Sequence, residues 1–411
     1  MMEPRETNTL RRWLSIVGIG EDGVEGLTAH ARALVSSAEL VVGGARHLAL
    51  AAPLIRGETL PWPSPLHDAF PQIAARRGRP VCVLASGDPF HYGVGKQIAT
   101  FAGADEILCV PQPSSFSLAA SRMAWALQDV AAITLHGRAL EGVTRHLFPG
   151  ARILALSWDG TTPAKAARLL TDLGFGASTL TVLEEMGGMG ERVSSARADA
   201  FTLDGIAALN VLAIEVAGGA DARIVPLTPG LDDALFESDG QLTKREVRAV
   251  TLAALAPRPG ELLWDIGLGS GSIAIEWLLR HPAMRAIGVE ENAERAARAM
   301  RNALSLGAPD LRVVEGCAPD ALADLPSPDA VFIGGGLTDA GVFDAAWNAL
   351  KPGGRIVANA VTLESEALLV DAFKRRGGEL TRIEISRASA LGSFTGWRAA
   401  MPVTQWRAVK S

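Results

Sequence analysis

From Trp13 onward the chain alternates short, almost wholly apolar runs with stretches whose apolar residues recur at helical spacing. WLSIVGIG, AELVVGG, PVCVLASG and EILCVP predict strands, and LTAHARALVSSA and GVGKQIATFAG predict helices between them. Runs this apolar, separated by helices, are the mark of strands covered on both faces in a mostly parallel sheet. A second set follows, with DVAAITLHG, ARILALSW, STLTVLEEM and NVLAIEV as strands and TPAKAARLLTDLG as a helix. Near Val216 the periodicity stops, and AGGADARIVPLTPGLDDALFESDG is rich in Gly, Pro and Asp. This predicts domains over 1–217 and 236–411 with a linker over 218–235.

The third set begins with the helix LTKREVRAVTLAAL and the strand ELLWDIG, then AIGVEEN, LRVVEGCA, AVFIGGG and GRIVANAV. TRIEISRAS and WRAAMPVTQWRAV, separated by GSFTG, predict a closing antiparallel hairpin on an otherwise parallel sheet. The reading is an α/β chain of two unlike enzyme domains in series.

Composition narrows this picture. The 411 residues are 48% hydrophobic and 20% charged, enough for two or three cores. No apolar run approaches the roughly 20 residues of a membrane helix, and MMEPRETNTLRRW lacks a leader's apolar core, so a cytoplasmic location is expected. Cys82, Cys109 and Cys317 are scattered without metal-ligand spacing, so no metal and no disulfide framework is expected. A net charge of −6 offers nucleic acid no general attraction.

Chemistry concentrates in the glycine turns. Asp265, Gly267, Gly269 and Gly271 spell D-x-G-x-G-x-G between a strand and a helix, so the backbone approaches a ligand closely at a positive helix end. A dinucleotide fingerprint would put glycine where Ser272 stands. An acid at 265 would repel a diphosphate and suit a cationic ligand such as the sulfonium and ammonium of S-adenosylmethionine. Glu290 ends the next strand, where a carboxylate accepts ribose hydroxyls.

The stretch GQLTKREVRAVTLAALAPRPGELLWDIGLGSGSIAIEW resembles the class I methyltransferase domains that methylate C15 of the corrin precursor in cobalamin synthesis. The resemblance covers roughly 236–411. It implies a Rossmann-like fold in which Thr243 borders the donor and Gly267, Leu268, Gly269, Ser270 and Gly271 wrap its methionine end. It further implies that Glu290 holds the ribose and Ala318 lies beside the adenine.

In the first half, ASGDPFHYGVG fixes a turn at a strand end through Asp88 and Pro89. With PSSFSLAASRMAWALQDV, TLHGR and VLEEMGG it resembles the tetrapyrrole methylases, class III methyltransferases, over roughly 13–216. The resemblance implies two lobes clamping the methyl donor. Ser86, Gly87 and Asp88 would form the donor-side loop, Ser114 and Ser115 would face it, and the Met186 region would be the far wall. Glu21 departs from that family, which has proline in its G-x-G-P-G turn, and this bears on how the first loop meets substrate.

In this order the two domains resemble the fused precorrin C5,C15-methyltransferases (decarboxylating). That implies one S-adenosylmethionine site per domain, precorrin-6B as the tetrapyrrole substrate, removal of carbon dioxide from the C12 acetate, precorrin-8 as product, and a homo-oligomer, a tetramer in related C-terminal domains. Such a substrate carries several carboxylates, so cations should meet it: Lys244, Arg245, Arg248, Arg387 and Arg398 in the second domain, Arg122 and Arg138 in the first. His91, His136, Arg245 and Arg248 are the candidate catalytic residues, the histidines because imidazole is the side-chain type suited to moving protons. An RNA methyltransferase would need a concentrated basic surface, which the acidic balance opposes. A non-catalytic tetrapyrrole carrier is opposed by the intact glycine turn, and a dehydrogenase by Ser272 and Asp265.

Overall fold

The computed structural model describes residues 12–411; the stretch read for a leader lies almost wholly outside them. The chain divides into two compact units. One holds the residues up to Arg138 together with Phe148–Arg223, and the other holds Ala139–Leu147 together with Ile224–Ser411.

The first unit has two sheets. β1 (Leu14–Ile19), β2 (Leu40–Gly43), β3 (Glu58–Pro61), β4 (Val81–Ser86) and β5 (Ile107–Val110) lie in the order β3-β2-β4-β1-β5, with every pairing parallel. The second sheet contains β6 (Ala131–Thr134), β7 (Arg152–Leu156), β8 (Thr179–Glu184), β9 (Arg192–Arg197) and β10 (Asn210–Glu215). Its order is β6-β7-β10-β8-β9, and β10 and β9 run antiparallel to their neighbours. β1 is buried at all six positions, as its unbroken apolar run requires. β3 and β9 are edge strands that the hydrophobic pattern does not mark: ETLP and RVSSAR bury too little to need one. GVGKQIATFAG yields only one α-turn, Gly95–Ile98.

The second unit is built on β11 (Leu262–Ile266), β12 (Arg285–Glu290), β13 (Arg312–Glu315), β14 (Ala330–Ile333), β15 (Arg355–Ala360), β16 (Glu379–Ile383), β17 (Ser386–Leu391), β18 (Phe394–Ala399) and β19 (Val403–Val409). Seven strands form one sheet, β13-β12-β11-β14-β15-β19-β16, in which only β19 is antiparallel to both neighbours. The expected single closing hairpin is thus two nested pairs. β16 and β19 close the sheet, while β17 and β18 form a separate ribbon around the GSFTG turn. Burial explains the split, because Val403–Trp406 is buried and Leu391, Phe394 and Trp397 are exposed.

Buried ion pairs fasten this unit. Arg248, fully buried on the helix Arg245–Leu255, donates through Nε to Glu276 at 2.8 Å and through Nη1 to Asp233 at 2.7 Å. It also donates to the carbonyls of Leu231 and Thr243 and lies over the Phe236 ring. Glu276 accepts in addition from the backbone N–H groups of Gly230 and Leu231. Arg248 is therefore a rivet for the 230–243 segment, and the expectation that it acts on substrate is corrected: all its donors face protein. Arg355 does the same work with Glu261 at 2.6 and 2.7 Å. The segment Ala139–Leu147 belongs here as well, since Arg145 donates twice to the Gly307 carbonyl at 3.0 and 2.8 Å.

Removing Arg248 leaves Glu276 buried without its counter-charge, so Arg248→Met is expected to destabilise the second unit by about 3–5 kcal/mol. Arg245→Ala, at an exposed position of the same helix, should change stability by less than about 0.5 kcal/mol. Urea denaturation followed at the tryptophans measures both, and equal losses in the two variants would refute the rivet.

Candidate functional site

In the second unit the carboxyl ends of β11, β12 and β14 surround a cavity of about 550 Å³. It is lined by Thr243, by Asp265 and the turn Gly267–Ser270, by Glu290, and by Ala318. Each glycine of the turn answers a different constraint. Gly267 has φ 73°, and a Cβ there would lie 2.7 Å from Gly335 Cα. Gly269 has φ 57°, and a Cβ there would meet only the Gly267 carbonyl oxygen at 4.0 Å, so conformation rather than crowding demands glycine. Gly271, φ 78°, opens the helix Ser272–Leu278, and a Cβ there would press on Ala299. Gly271 does not itself line the cavity; its role is to start that helix.

Two carboxyl groups brace the turn. Glu290 accepts from Gly269 N–H at 2.8 Å and from Asn292 N–H at 3.1 Å. Asp265, 1% exposed, accepts from Ala274 N–H at 3.0 Å. Burial, with Glu290 adding to it, raises the Asp265 pKa to about 8 against the hydrogen bond from Ala274. Its carboxyl is thus mostly protonated at neutral pH, so the repulsion of a diphosphate expected from Asp265 comes instead from Glu290, Glu291 and Asp339, which share the lining. Among the described residues Arg295 is the one cation there, and Asp239 and Gln241 occupy its guanidinium. A lining so acidic, over a turn with room beside Gly269, fits a donor with positive charge and hydroxyl groups.

Sequence reasoning missed the opposite wall, Gly334–Gly336 and Asp339, and also Gln241, Cys317 and Val361. The triple glycine after AVFI was the available signal. Cys317 donates to Glu291 at 3.3 Å, and that hydrogen bond raises its pKa, which disfavours thiolate chemistry. Arg245, Arg387 and Arg398 are exposed and do not line the cavity; Arg387 pairs with Glu246, and Lys244 lies 3.9 Å from Asp233.

In the first unit, strand directions bring the motifs together at two sheet edges. Gly87 and Ser114 follow β4 and β5, which end beside each other across β1. Gly18 and Gly87 make the closest approach, since a Cβ on Gly18 would lie 1.9 Å from the Gly87 carbonyl oxygen. Ser86 and Asp88 flank that point, and Asp88 fixes its turn by accepting from Phe90 N–H at 2.9 Å. Ser114 caps the helix Ser115–Met123 by accepting from Ser117 N–H. His91 packs on Phe116 with ring centroids 4.8 Å apart.

On the second sheet His136, Trp158 and Met186 follow the carboxyl ends of β6, β7 and β8, which all point the same way. His136 stacks on the exposed Trp158 at 5.5 Å. Met186 is 7% exposed and sits in the core under the helix Ser115–Met123, so its side chain packs there. Arg122 is committed to Glu191 in a two-point pair, which holds that carboxyl at about 2, whereas Arg138 is exposed.

Asp265→Asn keeps an acceptor for Ala274 but cannot ionise. The folded pKa lies above the ordinary carboxyl value of 3.8, so ionisation opposes folding as pH rises from about 4 to about 8. The asparagine variant should therefore gain thermal stability over the parent through that window, with the full gain above pH 8. Conversely, a cationic ligand lowers this pKa. The ratio of parent to variant affinity for S-adenosylmethionine should climb up to pH 8 and then level off. Calorimetry at pH 6, 7, 8 and 9 checks this, and a flat ratio would remove Asp265 from cation binding.

Comparison with known proteins accounts for nearly the whole chain. Residues 14–201 match the family described as Tetrapyrrole (Corrin/Porphyrin) Methylases, and residues 234–410 match that described as Precorrin methyltransferase domain. Precorrin-6Y C(5,15)-methyltransferase [decarboxylating] from Sinorhizobium sp is 59% identical over 394 residues, 96% of this chain and 95% of that protein. The protein of the same name from Mycobacterium tuberculosis (strain CDC 1551 / Oshkosh) is 40% identical over 399 residues, 96% of this chain and 99% of that one. Among solved structures, the C-terminal domain of precorrin-6Y C5,15-methyltransferase from Rhodobacter capsulatus is 51% identical, covering 45% of this chain and 100% of that domain, with a TM-score of 0.43.

Proposed function

Since the chain belongs to the family of precorrin-6Y C(5,15)-methyltransferases (decarboxylating), we propose that it methylates a precorrin at two meso carbons, one in each domain, and removes one carboxyl group. The substrate is precorrin-6B, called precorrin-6Y in the relatives' names, and the product is precorrin-8. The first domain, residues 1–217, acts at C5. The second, residues 236–411, acts at C15 and releases carbon dioxide from the C12 acetate.

The observation that supports this most is the acidic cavity over the Gly267–Gly271 turn in the second domain, beside an independent glycine contact at the strand ends of the first. S-adenosylmethionine supplies an electrophilic methyl group, already activated by its sulfonium. The protein's own work is then orientation and exclusion of water. In the second domain the Gly267–Ser270 backbone and Asp265 would hold the amino-acid end, Glu290 the ribose, and Thr243 and Ala318 the border and the adenine. In the first, Ser86–Asp88 and Ser114–Ser115 would face the donor across from the loop carrying Met186. Each methylation forms a carbon–carbon bond, breaks a carbon–sulfur bond and releases one proton. In decarboxylation the conjugated ring takes the electron pair of the broken bond and then a proton.

Disabling one domain at a time separates the two reactions. Gly269→Val places a branched side chain at φ 57°, and the product should carry the C5 methyl alone with its carboxyl group retained. Asp88→Ala loosens the first-domain turn, and the product should carry the C15 methyl and lack the carboxyl. Mass spectrometry of the tetrapyrrole reads both. The two-site assignment fails if neither variant accumulates a mono-methylated species.

A further inference from the structure

At the carboxyl ends of β1, β2 and β4 the first lobe gathers four polar side chains that the donor-binding reading does not use together. Arg46 ion-pairs with Glu21 through Nη1. Its Nη2 lies 3.0 Å from Ser86 Oγ and 3.0 Å from His47 Nε2, and these two atoms are 2.9 Å apart. A guanidinium only donates, so His47 Nε2 is the acceptor and its ring proton sits on Nδ1. Burial, then the charge of Arg46, lowers the His47 pKa to about 4, so the ring is neutral and Arg46 is the cluster's only cation among the described residues.

This guanidinium sits where the two lobes face each other. A Cβ on Gly188, in the loop after β8, would lie 2.8 Å from the Cβ of Glu21. Glu185 of the same loop, held at φ 45°, acts on Arg46 through its charge. Burial removes part of the guanidinium's hydration and lowers its pKa. A partly dehydrated arginine favours a carboxylate partner, and Ser86 and His47 fix the plane of its fork. The partner it has, Glu21, is carried by the short loop after β1.

We propose that Arg46 is a specificity-determining residue of the first domain: it binds one peripheral carboxylate of the tetrapyrrole, and Glu21 holds that place until the substrate displaces it. Ser86 links this subsite to the donor-side loop, so a seated carboxylate registers the macrocycle against the methyl donor. Glu185 draws the guanidinium toward the second lobe once Glu21 has left. The inference rests on the C5 assignment of this domain.

Steady-state kinetics of the full chain with precorrin-6B and S-adenosylmethionine, scoring C5 and C15 methylation separately, tests it. Arg46→Gln should raise KM for the tetrapyrrole about tenfold in the C5 reaction with kcat within about threefold, the scale of one lost charge-assisted pair. C15 methylation by the same preparation and donor affinity should not move. Arg46→Lys should restore the reaction only in part, because an ammonium lacks the fork. Glu21→Gln leaves Arg46 in place and removes its competitor, so it should lower the same KM. An unchanged KM in Arg46→Gln or in Glu21→Gln overturns the proposal, as does a matched fall in kcat and donor affinity in Arg46→Gln. If the unaltered chain makes no C5 product, the C5 assignment falls and takes this inference with it, a result distinct from any variant's.

Discussion

The contact on which the rest depends is backbone against backbone at the carboxyl ends of parallel strands. In the second unit a Cβ on Gly267 would lie 2.7 Å from Gly335 Cα, so the turn after β11 can carry no side chain at the contact. In the first unit Gly18 meets the Gly87 carbonyl more closely still, and Gln112 N–H donates to that carbonyl at 3.0 Å. Parallel strands force this, because every β-to-helix turn exits at the same edge and the turns of neighbouring strands compete for one space. Giving up side chains there exposes amides and carbonyls in fixed positions. The few acids and hydroxyls that border the contact, Asp265 and Glu290 in one unit and Ser86 and Asp88 in the other, are the groups to which the proposed function assigns the donor.

Charged residues divide according to whether their bonding capacity is already filled. Arg248, Arg355 and Arg122 make multiple bonds to protein, the first two from buried positions, and their cost of dehydration is offset only by those partners. Such groups position segments; Arg248 and Glu276 together hold residues 230–243, whose end supplies Thr243 to the cavity. Arg46 differs in degree. It contacts three partners, but one of them is a carboxylate on a loop that nothing else in the cluster needs. Motif position does not separate the two kinds of arginine, whereas the bond inventory does.

That difference sets what the sequence could convey. The strands with unbroken apolar runs were legible because both faces are covered, and the D-x-G-x-G-x-G turn was legible because positive φ leaves few alternatives to glycine. Arg248 misled because L-T-K-x-E-V-R places it one turn from Thr243, while the partners that bury it, Asp233 and Glu276, lie on other elements. Gly334–Gly336 was visible as composition, but its meaning depends on β14 pairing with β11, a long-range fact. β3 and β9 escaped for the opposite reason, since edge strands with polar faces need no periodic pattern. The Arg46 cluster joins three strand ends that are remote in sequence and adjacent only through the order β2-β4-β1.

The role proposed for Asp265 rests on how a buried acid can select a ligand better than an exposed one. With a pKa of about 8 it is largely neutral at pH 7, so the folded chain carries little of the cost of a buried charge while no ligand is bound. A cationic ligand draws the carboxyl into its ionised form, and near neutrality that ionisation costs only about 1.4 kcal/mol, one pKa unit. For comparison, a unit charge about 4 Å away at an effective dielectric of about 20 contributes about 4 kcal/mol of attraction. A neutral ligand gains no charge attraction from Asp265, and an anionic one meets Glu290, Glu291 and Asp339. On the proposed reading, selectivity for positive charge arises from a proton that leaves when the ligand arrives, and the hydrogen bond from Ala274 fixes the other carboxyl oxygen, the acceptor, at the start of the helix.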